Sequence, residues 1–491
     1  MARNELKAGV ILSYVNLLIG NLIPFFYTPV MLELLGQSEY GLYGIANSVM
    51  GYIGLLNFGI GSAIIRYLSL YRARGDREGE EGMAGLFLKL YGGIALLILL
   101  AGMLVSVHLE GYSRSLSAAE VDKLKILVRL MTANTAVFLP FSVFSSLTVV
   151  HERYLFNRLI NILSTVAAPC LNLAMLYGGF ASVGLVAAGT LLNLISYAAY
   201  TIYAVCRLNI RPRFGWRCPG LLREIFVFSA FAFLGSMVDI LYWATDKLII
   251  GWAVGAAAVT IYNVGASFNS YVTSLSTAIS GVLMPRITSM VTRETPSEEF
   301  SDLFIKVGRL QFLALWVGVG YEEAYPVALL TMLPVTVPLI QNTGLNILYA
   351  MNRHRFRSVV YLIIALLNVA LTFCWVERYG MIGAAAATCL AYLLGNVLIM
   401  NWYYARRIGL NISRFWKNIG RMCPTVIVFL AAGLWTADHA ALDSWPRFFT
   451  GAAIYTLLYL PAAYAFMMDR YERELCIGVL KKLLRRRKRE D

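Results

Sequence analysis

Charged residues are scarce in this chain. Only 14% of its 491 residues are charged and 59% are hydrophobic, whereas soluble domains carry about 25% charged and about 45–50% apolar residues. This composition excludes a soluble globular domain, a disordered chain and a fibre. The mean hydropathy of +0.65 agrees with that conclusion and indicates a chain that lies mostly within a membrane.

Residues that build metal, disulfide or nucleotide sites are also few or scattered. The seven cysteines form no CxxC pair, and the four histidines lack the spacing of metal ligands, so the sequence indicates neither a zinc site nor a disulfide framework. It contains no Walker sequence and no dinucleotide glycine motif. We therefore expect no cofactor and no ATP-driven transport by this chain alone.

Long apolar runs are what the sequence has in abundance. A helix needs about 20 predominantly apolar residues to cross a bilayer, and we identify thirteen clear spans of this kind. They lie at about 9–31, 40–65, 83–107, 126–150, 158–178, 182–206, 225–253, 257–284, 324–350, 358–376, 381–405, 420–437 and 448–467. A further apolar stretch at 310–318 is too short to cross. The predicted fold class is an all-α polytopic membrane protein.

The distribution of charge predicts the orientation of the chain. The 42 Lys and Arg residues outnumber the 28 Asp and Glu residues and give a net charge of +14. Most of the basic residues lie in alternate loops and in the tail, as the positive-inside rule requires, so nucleic acid is not a predicted partner. Both termini should then be cytoplasmic, which requires an even number of spans. We therefore expect fourteen spans, one of them truncated near 310–320.

The sequence also repeats part of itself. Gly36-x6-Tyr43 recurs as Gly255-x6-Tyr262, and Arg153-x2-Phe156 recurs as Arg353-x2-Phe356. Together these matches predict two six-helix lobes, an arrangement typical of transporters whose substrate path lies between the repeats. We place the N-terminal lobe at 1–210, the C-terminal lobe at 221–410, two extra helices at 411–468 and a basic cytoplasmic tail at 469–491.

Four stretches carry a resemblance to a known family. They are LGQSEYGLY at 35–43, NFGIGSAIIRY at 57–67, DILYWATDKLIIG at 239–251, and WVG followed by YEEAYP within 316–326. In order and spacing they resemble the polysaccharide-transporter branch, the O-antigen or oligosaccharide-lipid flippases, of the multidrug/oligosaccharidyl-lipid/polysaccharide flippase superfamily.

The resemblance implies a flippase in the bacterial cytoplasmic (inner) membrane. Such proteins move undecaprenyl-pyrophosphate-linked oligosaccharides, the repeat units of O-antigen, capsule or exopolysaccharide, by alternating access of two helical lobes. The partners implied are the lipid-linked oligosaccharide and membrane lipids. H+ or Na+ as a coupling ion and the glycan polymerase machinery are further partners that this assignment allows.

Charged residues inside spans are costly and usually functional. Asp239 is the leading candidate for a substrate-binding residue, because Tyr242, Trp243 and Asp246 follow at i+3, i+4 and i+7 on one helical face. Aromatic rings beside carboxylates suit sugar stacking or cation coupling. For Asp246 and Lys247, an ion pair with a purely structural role is an open alternative.

Three arginines complete the candidate substrate site, namely Arg66, Arg129 and Arg286. Arg129 can hold a pyrophosphate with two parallel bonds, and snorkelling to the membrane interface is the open alternative. Arg66 and Arg286 end spans near the cytoplasm, where each can meet the substrate or fix the topology. Arg286 is also an alternative partner for Asp246.

Three other functions compete with this hypothesis. They are a multidrug or cation antiporter, a lipid II flippase of the same superfamily, and a membrane glycan polymerase or ligase. The antiporter would need a coupling carboxylate in the first span, where none precedes Glu33. A polymerase or ligase generally needs a sizeable reactive outer loop, and the longest one, about 108–124, has no such constellation. We predict a transporter rather than an enzyme.

Overall fold

The computed structural model describes most of the chain. The described residues are 16, 19–20, 22–24, 26–112, 114–215, 220–281, 287, 289–290, 293, 298–306, 325–351, 353, 355–439, 445–470 and 472–474. The short apolar stretch at 310–318, the candidate residue Arg286 and most of the basic tail lie outside them.

Helices account for the described architecture. In chain order they are α1 (Gln37–Gly54), α2 (Ile60–Ala73), α3 (Arg77–His108), α4 (Ala118–Phe138), α5 (Ser142–Val150), α6 (Tyr154–Tyr177), α7 (Ala181–Ile202), α8 (Leu221–Trp243), α9 (Thr245–Ala253), α10 (Ala256–Gly281), α11 (Tyr325–Ile340), α12 (Asn342–Ala350), α13 (Arg355–Tyr392), α14 (Ile412–Gly420), α15 (Cys423–His439) and α16 (Trp445–Ala462). A π-helical stretch, Leu393–Met400, continues α13, and helical structure extends to Ile408.

These helices confirm an all-helical, multi-pass membrane protein. Among the described residues, five helices are long and apolar enough to cross a membrane, and up to eight if each bent pair is one span. The longest run, Phe356–Ile408, contains two predicted spans, 358–376 and 381–405. They are separated at Gly380, whose φ of 57° and ψ of −139° no helix can accommodate. The count of thirteen spans stays a prediction.

Three predicted spans are bent rather than straight. The α1 and α2 region bends by 41°, the α4 and α5 pair by 46°, and the α11 and α12 pair by 48°. The first bend follows from Phe58 and Gly59, which both adopt positive φ. The second contains Pro140, which lacks the N–H that a continuous helix needs. Bends of this kind leave backbone N–H and C=O groups outside the regular hydrogen-bonding pattern of the helix.

The chain forms two compact units. Unit 1 comprises Met1–Ser267 and Tyr361–Ala391, and unit 2 comprises Phe268–Val360 and Tyr392–Asp491. Within unit 1, α1 packs against α4, α7 and α9, and α3 packs against α4. In unit 2, the amide of Gln341 donates to Asn401 Oδ1 at 2.7 Å. The predicted lobes at 1–210 and 221–410 stay predictions.

The two helices that carry the repeated glycine-tyrosine motif, α1 and α10, lie in contact within unit 1. A Cβ placed on Gly41 would lie 1.8 Å from the carbonyl oxygen of Ala256, so only glycine permits this approach. The Thr260 hydroxyl donates to the carbonyl of Gln37 at 2.5 Å. The repeat therefore marks a helix pair whose backbones approach each other closely.

Candidate functional site

A break between α8 and α9 determines the surroundings of the two predicted carboxylates, Asp239 and Asp246. α8 ends at Trp243, and Ala244 separates it from α9. Asp246 thus lies in the first turn of a short helix rather than deep in a long one. Its side chain is 0% exposed, whereas the side chain of Asp239 is exposed. The helical face predicted from sequence therefore contains one buried and one exposed carboxylate.

Three hydroxyl groups surround the carboxylate of Asp246. Tyr262 Oη donates to it at 2.6 Å, Thr388 Oγ1 at 2.8 Å and Thr372 Oγ1 at 3.1 Å. The donors come from α10 and α13, and all three side chains are buried. Hydrogen bonds to an ionised group are shorter and stronger than neutral ones. They stabilise a carboxylate that would otherwise be costly to bury.

The hydrogen bonds of this hydroxyl cluster are nevertheless incomplete. The single proton of the Thr388 hydroxyl faces two side-chain acceptors, Asp246 Oδ2 at 2.8 Å and Asn368 Oδ1 at 3.2 Å. Within the described part of the chain, the Nδ2 atom of Asn368 is buried and has no hydrogen-bond partner. The cluster therefore offers two side-chain oxygen acceptors to one hydroxyl proton, and it also contains an amide nitrogen whose protons are unused among the described residues.

An oxygen-rich, buried cluster with one carboxylate suits a small hard cation. Carboxylate, amide carbonyl and hydroxyl oxygens are the ligands that such cations prefer. Here they are supplied by Asp246, Asn368, Thr372 and Thr388. Among the described residues, no group of three or more His, Cys, Asp or Glu side chains is placed to hold a metal ion. The chemistry fits H+ or Na+ better than a transition metal.

α9, which carries Asp246, is also held from outside the hydroxyl cluster. The loop 109–117 contacts it twice, because Tyr112 Oη donates to the carbonyl of Leu248 at 2.5 Å and Ser115 Oγ donates to the carbonyl of Gly251 at 3.0 Å. The hydroxyl of Tyr52 on α1 contacts that of Thr245, one residue before Asp246. Any movement of α9 must therefore change these contacts.

A second set of contacts extends from the same loop. The guanidinium of Arg114 lies 5.0 Å from the ring centroid of Trp252, and that ring stacks on Phe373 at 5.6 Å. Arg114 also pairs with Glu377 at 3.7 Å. These side chains link loop 109–117 to the end of α9 and to α13, which contribute Asp246 and two of its donors.

Two of the three predicted arginines, Arg66 and Arg129, lie elsewhere in unit 1. Arg66 is exposed on α2, with its guanidinium 4.4 Å from the ring centroid of Phe228. Arg129 is exposed on α4, and its Nε donates to Ser106 Oγ at 3.1 Å. Within the described residues, neither arginine contacts the carboxylate of Asp246. The structure therefore does not join the predicted cations and the buried carboxylate into one cluster.

The remaining predicted residues lie on either side of the break between α8 and α9. Tyr242 is buried, Trp243 is half-buried, and both have partners. Lys247 is half-buried next to Asp246, whose two carboxylate oxygens accept protons from the three hydroxyl groups. Sequence reasoning identified Tyr262 only as part of the repeat. It missed the threonines of α13, since buried threonines in apolar spans carry no distinctive pattern.

Comparison with known proteins identifies the family. A family model described as "Polysaccharide biosynthesis protein" matches residues 6–291, more than half of the chain. The chain belongs to this family. A relative from Bacillus subtilis (strain 168), "Uncharacterized membrane protein EpsK", is 21% identical over 95% of this chain and 96% of its own length. A "Putative O-antigen transporter" from Shigella flexneri is 19% identical over 76% of this chain and 91% of its own length.

Solved structures show the same fold in other transporters. The inward closed conformation of the lipid II flippase MurJ superposes with a TM-score of 0.67 and 13% identity, covering 94% of this chain and 99% of that protein. An inward-facing multidrug resistance MATE family transporter of the MOP superfamily superposes with a TM-score of 0.60 and 13% identity, covering 83% and 99%. Together with the family and the named relatives, these matches confirm the prediction of a membrane transporter rather than an enzyme.

Proposed function

We propose that this protein translocates an undecaprenyl-pyrophosphate-linked oligosaccharide from the cytoplasmic to the outer leaflet of the bacterial cytoplasmic membrane. The cargo would be a repeat unit of O-antigen, capsule or exopolysaccharide. The family match over 6–291 and the name of the Shigella flexneri relative support this cargo class. The observation that carries the proposal is a fully buried carboxylate, Asp246, held by hydroxyl groups within a helical membrane transporter.

The buried carboxylate supplies a means of coupling. An ionised carboxylate without a counter-charge is costly in a low-dielectric interior, and binding of H+ or Na+ removes that cost. The groups around Asp246 come from α10 and α13, while Asp246 itself is on α9. Loading a cation draws these helices together, and its release loosens them. Occupancy of the cluster thereby changes how tightly loop 109–117 holds α9, and such differential binding shifts a conformational equilibrium.

The predicted substrate residues belong to the same proposal. Exposed Arg66 and Arg129 are available to the pyrophosphate, and exposed Asp239 and half-buried Trp243 to the glycan, whereas Tyr242 is buried. Arg286 lies outside the described residues. Both termini are cytoplasmic in this proposal, and alternating access takes place between the predicted lobes at 1–210 and 221–410. The glycan polymerase machinery is the downstream partner that would use the exported repeat unit.

A lipid II flippase is the second candidate. The superposition on MurJ extends over 94% of this chain, compared with 83% for the MATE family transporter. The likeness to MurJ therefore includes more of the chain than the likeness to the MATE family transporter does. Lipid II and the proposed cargo share the polyprenyl pyrophosphate, so the two candidates differ in the glycan.

Complementation separates the two candidates. We expect this protein to restore surface glycan in a strain that lacks its own oligosaccharide-lipid flippase, and not to restore growth in a strain depleted of its lipid II flippase. Surface glycan is measured with a glycan-specific stain, and membrane abundance is measured in parallel. Rescue of growth without any export of surface glycan, at normal abundance, would reverse the order of the two candidates.

A further inference from the structure

A cleft lies in unit 2 where the helical run that ends at Ile408 meets α14. The chain reverses at Gly409, whose φ is 81°. The cleft has a volume of about 610 Å³, and its walls include Trp402 and Ala405 on one side and Ile412 and Trp416 on the other. Two indole rings thus line a space between the end of an apolar helix and a short helix beside it.

α14 is amphipathic and firmly seated. Phe415 and Ile419 are buried on one face, and the ring of Phe415 lies 4.5 Å from that of Phe304. The Asn411 side chain caps the helix by accepting from the backbone N–H of Arg414 at 2.9 Å. A helix with one buried apolar face and one basic face, directly after an apolar run, is typical of the membrane interface. The wall of the cleft is therefore preformed.

The polar side of this region is cationic. The sequence contains no Asp or Glu between Glu377 and Asp438. Arg414 is paired with Asp302 from the segment 298–306 at 3.1 Å. Lys417 on α14 and Arg421, directly after its last residue, are exposed one turn apart, and among the described residues neither forms an ion pair. Positive charge beside the cleft is therefore left without a protein counter-charge.

We propose that this cleft binds an anionic glycerophospholipid of the cytoplasmic leaflet. Its phosphate lies against Lys417 and Arg421, and its acyl chains lie along Trp402 and Trp416. Three properties support this occupant: exposed cationic groups next to the cleft, aromatic and apolar side chains among its walls, and a position at the end of a membrane span. Tryptophan suits such a place because its ring is apolar and its N–H is polar. The cleft belongs to unit 2, whereas Asp246 belongs to unit 1.

The proposal is tested by native mass spectrometry of the full-length protein in detergent, titrated with phosphatidylglycerol or phosphatidylcholine. We expect the first phosphatidylglycerol to bind about tenfold more tightly than the first phosphatidylcholine. The double variant Lys417→Glu/Arg421→Glu should lose about tenfold in phosphatidylglycerol affinity and keep its phosphatidylcholine affinity. Equal affinity of the unmodified protein for both lipids would overturn the proposal.

A matched control separates a site from general electrostatics. Arg153→Glu/Arg207→Glu changes the charge equally at two exposed arginines of unit 1, and its affinity should stay within about twofold of the unmodified value. An equal loss in both double variants would mean that net charge, not the cleft, attracts the lipid. Lys417→Glu/Arg421→Glu must run as a single species in size exclusion. If it does not, Trp402→Ala becomes the deciding variant, because the Trp402 side chain is 53% exposed and its loss should leave the fold intact. Unchanged phosphatidylglycerol binding in Trp402→Ala would then overturn the proposal.

Discussion

At the scale of single residues, the buried carboxylate of Asp246 is the centre of the polar cluster in unit 1. Its carboxylate is completely buried and accepts from a tyrosine and two threonines. Next to it, Asn368 has a buried amide nitrogen without a partner in the described part of the chain. Buried polar clusters that are only partly satisfied are costly. At this position the carboxylate, amide and hydroxyl oxygens, rather than the unused amide nitrogen, support a role in binding a cation. Two substitutions test this role.

Asp246→Asn keeps the size of the side chain and removes its charge. We expect the unmodified protein to gain about 1.4 kcal/mol of stability at a Na+ concentration ten times the dissociation constant, and the variant to gain none. Thermal unfolding in Na+ and in choline measures this difference, and the variant should also lose glycan export. Asp122→Asn, at an exposed carboxylate, is the control and should keep both properties. An Asp246→Asn protein that still exports at normal abundance would remove this residue from the mechanism.

Thr388→Val replaces a hydroxyl by a methyl group of similar size. It removes a donor to a buried charged group, so we expect a loss of about 1–3 kcal/mol in cation-dependent stabilisation. Thr331→Val is the matched control, because the Thr331 hydroxyl is buried but donates within its own helix, to Val327 at 2.8 Å. The Na+ dependence of unfolding should change only in the first variant. Equal effects would indicate a packing defect without a role in cation binding.

At the scale of helices, breaks and close contacts decide which side chains reach Asp246. The break at Ala244 places Asp246 at the start of α9, where Tyr262 and the threonines of α13 reach it. The periodicity of the sequence predicted one continuous helix over 225–253 and hence a shared face with Asp239. Periodicity could not reveal the break, because neither proline nor glycine marks it. α14 was likewise missed, since its nine residues fall between two longer apolar runs.

Gly41→Ala tests the close packing of α1 on α10. The added methyl group would meet the backbone oxygen of Ala256, which cannot rotate away, so the two helices must separate. We expect a destabilisation of about 1–3 kcal/mol and reduced export. Gly92→Ala is the matched control, because a Cβ at this helical position meets nothing within 4 Å. It should be neutral or stabilising by up to about 1 kcal/mol. Normal unfolding of Gly41→Ala would contradict the observed packing.

At the scale of the whole molecule, the charge outside the spans predicts the orientation of the chain in the membrane. Basic residues in alternate loops predict that both termini and the segments near Arg213 and Arg414 are cytoplasmic. Both arginines are held by acidic partners, since Arg213 pairs with Glu78 at 2.7 Å and Arg414 with Asp302 at 3.1 Å. Both segments are therefore ordered attachment points for a topology reporter.

Reporter fusions after Arg213 and after Arg414 should both report the cytoplasm. Alkaline phosphatase and a fluorescent protein, active on opposite sides of the membrane, provide the paired measurement. The fusion after Arg213 is the internal control, because only the second fusion follows the apolar stretch at 310–318. If the second fusion reports the outside while the first reports the cytoplasm, the number of crossings between them is odd and the predicted orientation of the C-terminal part is wrong.

The sequence by itself determined the properties that depend on composition and on local runs of residues. Apolar runs of about 20 residues predicted helical spans, of which the described residues contain five, or up to eight if each bent pair is one span. Ordered motifs predicted the family. Only the tertiary structure decided which carboxylate is enclosed. Asp246 is separated from Tyr262 by 16 residues, from Thr372 by 126 and from Thr388 by 142. Burial depends on groups brought together by packing, and neither propensity nor periodicity along the chain encodes those distant partners.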